Sequence, residues 1–278
     1  MADNINEKVY EETQNDTNEE LNSAEELQSE DSAEVVADDS SSERSVGMID
    51  PNQGKNLVIE TSTGKYERHP VRTKVVMSGD NLEEILAECV SPYIAEGDMV
   101  FMSEKIVAIS QGRAFPVSEI KPSKLAKFLV KFVYKSPYGI GLGIPTTMEL
   151  AIREVGRVKI VLCAIIAGIC KVFGVRGVFY NMLGEQVRAI DGPCDYTIPP
   201  YNTYAKMAPA KPHEVSKRLT KFMGGNKVVI VDANDLGVNI LGKPETDTPD
   251  EVFADIFKDN PLGQAAQQTP IAIVRKIG

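Results

Sequence analysis

The sequence predicts a mixed α/β fold of the α+β kind, and three observations carry that expectation. Short apolar runs, MVFMS at Met99–Ser103, VVIV at Val228–Val231 and IAIVRK at Ile271–Lys276, read as strands. Between them lie segments whose apolar residues recur at helical spacing, such as Leu82, Ile85, Leu86 and Cys89. Glycine and proline turns separate the two kinds of segment, and no internal repeat is visible. At 278 residues and 42% apolar, the chain can bury a sizeable core in one domain or two.

The formal charge of -10 is unevenly spread. Met1 to Asp50 holds 16 acidic and 2 basic residues, a balance of -14, while the remainder holds 24 acidic and 28 basic residues, a balance of +4. The acidity therefore belongs to a tail whose only aromatic is Tyr10, and residues 1–55 read as disordered because such a composition cannot bury enough apolar area to offset ordering entropy. The tail reads as a solubilising segment, with a docking segment as the alternative. It lacks a basic start and an apolar run, so it is neither a secretory signal nor a transit peptide. Residues 56–278 form the mildly basic, folded part.

Along that part, Val71 to Val76 alternates as a strand and ends in a turn where Ser78 or Asp80 caps the first helix. Glu96-Gly97-Asp98 turns the chain into the strand Met99–Ser103, and the β-rich run Lys105 to Ser110 reads as a second strand. Pro116 to Lys121 is a loop or short strand. Ser123 to Tyr134 is an amphipathic helix with Leu125, Phe128, Leu129 and Phe132 facing inward. After YGIGLGIP, a helix begins near Thr146 or Thr147 and runs to Val155. Lys159 to Phe173 then reads as a buried helix, too short for the roughly 20 apolar residues of a membrane span. From Gly177 the chain turns to short strands and loops. His213 to Met223 is a helix stopped by Gly224-Gly225, Lys227 to Val231 a strand, and Ile271 to Lys276 a terminal strand that pairs with the body.

Cys89, Cys163, Cys170 and Cys194 form no CxxC pair, and His69 and His213 are too few to complete a zinc site. Reduced thiols and a cytoplasmic location follow. With no Trp and no basic-aromatic interleaving, nucleic acid is excluded as a partner.

The stretch VVIVDANDLG aims Asp232, Asn234 and Asp235 off the end of an apolar strand, the usual ligand mouth of α/β sheets. Asp191 in AIDGP repeats the arrangement. Hard oxygen donors of this kind suit Mg²⁺ or Mn²⁺, and magnesium in turn suggests phosphates; the same residues also build ordinary Asx turns. The YGIGLG segment is neither a Walker loop nor a dinucleotide fingerprint. Arg72, Lys74, Lys105 and Arg113 lie near expected strand ends, where they either hold phosphates or are scattered solvated charge.

Four phrases, PVRTKVVMSGDNLEEIL, EGDMVFMSEKIVAISQGR, RAIDGP and VVIVDANDLG, together resemble the coenzyme F420-0:γ-glutamyl ligase family in order and spacing. The likeness is closest to a divergent bacterial branch sharing KSPYGIGLG, AIDGP and PPYN. It implies a two-domain fold in an intertwined homodimer, and a GTP-dependent ligase coupling L-glutamate to F420-0 through an acyl phosphate. It also implies Mg²⁺ or Mn²⁺ on Asp191 and Asp232, to which Asn234 and Asp235 add oxygen donors. By the same likeness, Arg72, Thr73, Lys74, Val75, Ser103, Glu104 and Lys105 lie along the nucleotide, with Lys105 and Asp232 in catalytic roles. The chain departs from the family pattern at Ile109-Ser110-Gln111-Gly112-Arg113, where the family reads Lys-Ala-Glu-Gly-Arg, and at Ala233, where it reads Thr. A ligase acting on another carboxylate, and a non-catalytic nucleotide-binding scaffold, are the alternative readings.

Overall fold

The computed structural model describes residues 45–133, 140–234 and 237–278. The expected disorder of residues 1–44, the start of the YGIGLG segment, and Asp235 all lie outside the described residues. The strands are β1 (Gly47–Met48), β2 (Val58–Thr61), β3 (Gly64–Arg72), β4 (Met99–Ser103), β5 (Ala114–Pro116), β6 (Tyr204–Lys206), β7 (Val228–Asn234), β8 (Gly237–Gly242) and β9 (Ile271–Lys276). The helices are α1 (Leu82–Cys89), α2 (Glu104–Ser110), α3 (Lys124–Leu129), α4 (Pro145–Val155), α5 (Arg157–Val172), α6 (Val178–Leu183), α7 (Glu185–Arg188), α8 (Pro212–Phe222) and α9 (Asp250–Phe257). The expected mixed α/β class is what these elements form.

Seven strands make the larger sheet, in the order β1-β3-β9-β4-β7-β8 with β2 also on β3, while β5 and β6 pair in a second sheet. Successive side chains of a strand point to opposite faces, and the central strands are apolar on both. Val100, Met102, Val228, Ile230, Ile271 and Ile273 pack under Leu82, Ile85, Leu86, Ile106 and Leu219. The alternate residues Phe101, Val229, Val231, Ala272 and Val274 pack on the other face against Phe253, Ile256 and Phe257 of α9. Phe101 stacks on Phe257 with ring centroids 4.4 Å apart. A third cluster, joining Ala126, Leu129, Met148, Leu150, Ile160, Cys163, Leu183 and Val187 to Ala205 and Met207, ties α3–α7 to the second sheet.

Several expectations are corrected. Residues 45–55 are not disordered: β1 pairs with Val71 and Arg72, and the Asn52 side-chain amide donates to Pro261 O and Thr269 Oγ1, both at 2.9 Å. The strand expected at Val71–Val76 runs instead over Gly64–Arg72, and the cap of α1 is Asn81, whose Oδ1 accepts from Glu83 N at 3.0 Å. Lys105–Ser110 is helical, because Ser103 caps it and Ile106, Val107 and Ile109 find their burial on one helical face; tertiary burial overrides the β-branched preference. The start of the run from Gly177 forms α6 and α7 rather than strands, while its later part holds the expected short strand as β6. Phe128 and Phe132 face outward, 56% and 63% exposed, since α3 ends at Leu129 and gives way to a 3₁₀ turn that breaks the periodicity. Most of α5 is likewise uncovered: among its described residues only Ile160 and Cys163 are buried. Among the described residues no helix is long and apolar enough to cross a membrane.

Two ion pairs fasten the sheet's rim. Arg68, with no exposed side-chain surface, forks onto both carboxylate oxygens of Asp259, and Arg275 forks onto Asp98 at 2.9 and 2.6 Å. Burial opposes ionisation of both aspartates, but the arginine hydrogen bonds outweigh it and hold both carboxyls below their ordinary range. The unfolded chain therefore binds more protons there, so this stabilisation is present above about pH 4 and is lost as pH falls through the depressed values. Calorimetry from neutral to acid pH should show the melting temperature dropping at low pH, with Asp98→Asn lower at neutral pH and flatter toward acid. Phe101→Ala, which empties the stacked site beside Phe257, should cost about 4 kcal/mol in denaturant unfolding.

Candidate functional site

The register of the two parallel strands assembles the site. β4 and β7 pair in parallel with Ser103 opposite Val231, so the next residue of each, Glu104 and Asp232, emerges side by side at the strands' carboxyl ends. Ser103 takes no part in the acidic cluster; its Oγ accepts from Lys105 N and starts α2. Asp232 continues along β7 opposite Asn239, so the strand ends at Asn234 rather than at Asp232.

Asp191 arrives from another direction, and not from a strand end as expected. It follows α7 and forms an isolated antiparallel bridge with Lys206, each backbone N–H donating to the other's carbonyl at 2.9 Å. Gly192 then passes so close to Ile140 that a Cβ there would lie 2.7 Å from the isoleucine side chain, which is why glycine follows the aspartate. The bridge brings the Lys206 ammonium to the carboxylates. It donates to Glu104 Oε1 in a short, buried contact and lies 3.4 Å from Asp191 Oδ2.

The electrostatics follow from that packing. Burial pushes Glu104 up to about 7, with Asp232 and Asp191 adding to the shift and Lys206 opposing it. Burial likewise raises Asp232, against the nearby charges of Lys206 and Lys105 and with that of Asp191. Burial alone would lower Lys206, but Glu104, Asp191 and Asp232 overcome it and keep the ammonium charged. Lys105, Asp191 and Lys206 line a small, open cleft with Gly192, Thr197, Tyr201 and Tyr204.

Of the residues expected along the nucleotide, the Arg72–Val75 segment reaches the cleft wall indirectly, because the Tyr201 hydroxyl donates to Val76 O at 2.8 Å. Arg72 closes β3, and its buried Nε has no hydrogen-bond partner. Thr73 is buried, its hydroxyl donating to Lys74 O and its backbone held by Gln268. Lys74 is exposed, 3.7 Å from Asp80, and Val75 packs on the main core. Arg113 is structural, pairing with Glu154 at 2.7 Å and bonding Ala208 O. Asn234 Oδ1 accepts from Gly237 N at 3.1 Å.

Asp191 and Asp232, together with Lys105, are thus brought to one place, and sequence reasoning missed Lys206, Thr197, Tyr201 and Tyr204. The signal for Lys206 was its position in YAKM, a lysine between Ala205 and Met207 in a proline-rich segment. In donor chemistry the cluster fits a hard divalent cation: its side chains are carboxylates, and Glu104 Oε2 is buried without a partner. Among the described residues no three His, Cys, Asp or Glu side chains already converge at coordinating distance.

The family model for F420-0:Gamma-glutamyl ligase matches residues 70–249, well over half of the chain and every residue of this cluster. The chain belongs to the F420-0:γ-glutamyl ligase family. It is therefore a member of an enzyme family of F420 biosynthesis whose substrates are small molecules. No curated protein matches the chain in sequence. The match to the ligase family ends before α9 and β9, yet β9 lies between β3 and β4 and completes the platform beneath the site.

The cleft wall of this family member depends on Tyr201, whose ring meets Tyr204 edge-on. Tyr201→Phe should lose the bond to Val76 O and about 1 kcal/mol of stability in a thermal or denaturant melt.

Proposed function

We propose that the chain is a GTP-dependent γ-glutamyl ligase that joins L-glutamate to coenzyme F420-0, or to a related carboxylate, through an acyl phosphate. The observation that carries this reading is that Asp191, Lys105 and Lys206 line one cleft, with Asp232 close enough to feel the charge of all three. The acceptor carboxylate attacks the γ-phosphorus, and the bond to GDP breaks with its electron pair leaving on the nucleotide. The glutamate amine then adds to the acyl carbon, phosphate departs, and the amine proton is released. Phosphoryl transfer of this kind needs no protein nucleophile, so the chain's work is to position groups and offset charge.

Lys105 supplies fixed positive charge at the mouth, and the segment Arg72–Val75, with Ser103 and Glu104 at the start of α2, borders the nucleotide. Asp191 and Asp232, with Asn234 or Asp235, would hold Mg²⁺ or Mn²⁺, which would supply charge neutralisation at the phosphates. The same proposal takes the reaction to be cytoplasmic, a reading that four free cysteines support.

The same reading includes a homodimer. Val158, Leu162, Ile165, Ile169 and Val172 are exposed on α5 at alternating spacings of four and three, the seam along which helices interlock. A second copy presenting the identical seam covers both faces at once.

GDP and phosphate release from GTP should require F420-0, L-glutamate and Mn²⁺ or Mg²⁺ together. Asp232→Asn should lower turnover by at least about a thousandfold while leaving the melting temperature nearly unchanged. Release that is independent of glutamate and of every carboxylate tested would remove the ligase reading. In sedimentation, Ile165→Glu should convert a dimer to a monomer; a monomeric parent chain would remove the dimer.

A further inference from the structure

We infer that Glu104 is a third carboxylate donor of the cation site and that Lys206 gates it: the ammonium holds the acidic side chains in the metal-free protein and moves into the cleft when a divalent cation takes its place. The inference rests on the metal-dependent reading above, and it concerns two residues that the family resemblance does not assign to metal.

Glu104 is 3% exposed, and its two oxygens are in different states. Oε1 accepts from Lys206, while Oε2 is buried and has no hydrogen-bond partner. A buried carboxylate oxygen without a partner carries an uncompensated desolvation cost, and in a native site it marks a place where a ligand is missing. The strand register sets Glu104 beside Asp232, and Lys206 bridges Glu104 to Asp191, so the unpartnered oxygen belongs to a group of three acids.

One ammonium is a poor match for that group. It carries a single charge against three carboxylates, and Lys105 is the other cation near Asp232 among the described residues. It satisfies one oxygen of Glu104 and stands 3.4 Å from Asp191. A hard divalent cation carries twice the charge and takes six or more oxygens at short distance, drawing one from each acid and the rest from water and substrate. With the ammonium standing among them, the acids do not converge at coordinating distance among the described residues. The lysine that assembles the site therefore also keeps it from being a ready-made metal cage.

Lys206 has a place to go. Its side chain already lines the cleft beside Lys105, Thr197, Tyr201 and Tyr204. Displaced into that space, the ammonium joins Lys105 as a second fixed cation facing the phosphate-bearing co-substrate. Cation entry and anion binding are then coupled through one side chain, and the coupling is reciprocal.

The test titrates the full-length, chelator-treated chain with Mn²⁺ alone, reading free ion by electron paramagnetic resonance. Lys206→Met, which removes the competing charge, should bind Mn²⁺ about tenfold tighter, and Glu104→Gln should bind it about tenfold to a hundredfold more weakly. In the unmodified chain, Lys206 should resist acetylation without metal and react once Mn²⁺ is added, as read by mass spectrometry. That measurement needs no variant and so stands even where Lys206→Met fails to fold. Unchanged Mn²⁺ affinity in both folded variants, or equal acetylation with and without Mn²⁺, would overturn the inference while leaving the metal-dependent reading in place. A parent chain that binds no Mn²⁺ would overturn both.

Discussion

The buried pair between Glu104 and Lys206 is the contact on which the rest of the site depends. Glu104 begins α2 directly after β4, and Lys206 ends β6, so the pair spans 102 residues of sequence and joins the larger sheet to the smaller one. Two charges taken from water at this depth each carry a desolvation cost of several kcal/mol, which is recovered only in good geometry with the remaining polar atoms satisfied. Here one of those atoms, Glu104 Oε2, is not satisfied. A contact of this kind is weak evidence for stability and better evidence for a site whose electrostatic balance is completed from outside.

The platform beneath it is built to be rigid. Among the described residues the pair β4 and β7 is the one parallel pairing of the larger sheet, and it puts two strand ends, and hence two acids, at the same edge. β9, the last strand of the chain, pairs antiparallel with β4 and β3 and locks that edge from the other side. Apolar residues on both faces of these strands leave little freedom for the register to slip, since a shift of one residue would turn every side chain to the wrong face. The positions of Glu104 and Asp232 are therefore a consequence of core packing rather than of local turn chemistry.

The helical part is organised differently. α3–α7 bury one apolar cluster around β5 and β6, which fixes Asp191 and Lys206, but α5 keeps a second apolar face in the open, with Val172 and Phe173 at 84% and 80% exposure. That exposed apolar face is what the second copy of the proposed homodimer would cover. The same helix thus serves the site through its buried side and is available for association through the other.

The sequence by itself determined the mixed α/β class, the strands Met99–Ser103 and Ile271–Lys276 and the helix stopped by Gly224-Gly225, and it singled out Asp191 and Asp232 as candidates. These follow from short-range patterns: period-two or helical spacing, a turn residue, an acid after an apolar run. Only the tertiary structure decided that Lys105–Ser110 is a helix, that Val178–Arg188 is largely helical, and that Gly47–Met48 pair into the sheet. In each case burial against distant residues outweighed local preference. It also decided that Lys206, Glu104 and Asp191 meet. No local pattern places a lysine among prolines beside a glutamate 102 residues earlier; only the parallel register of β4 on β7 and the bridge between Asp191 and Lys206 bring those charges together.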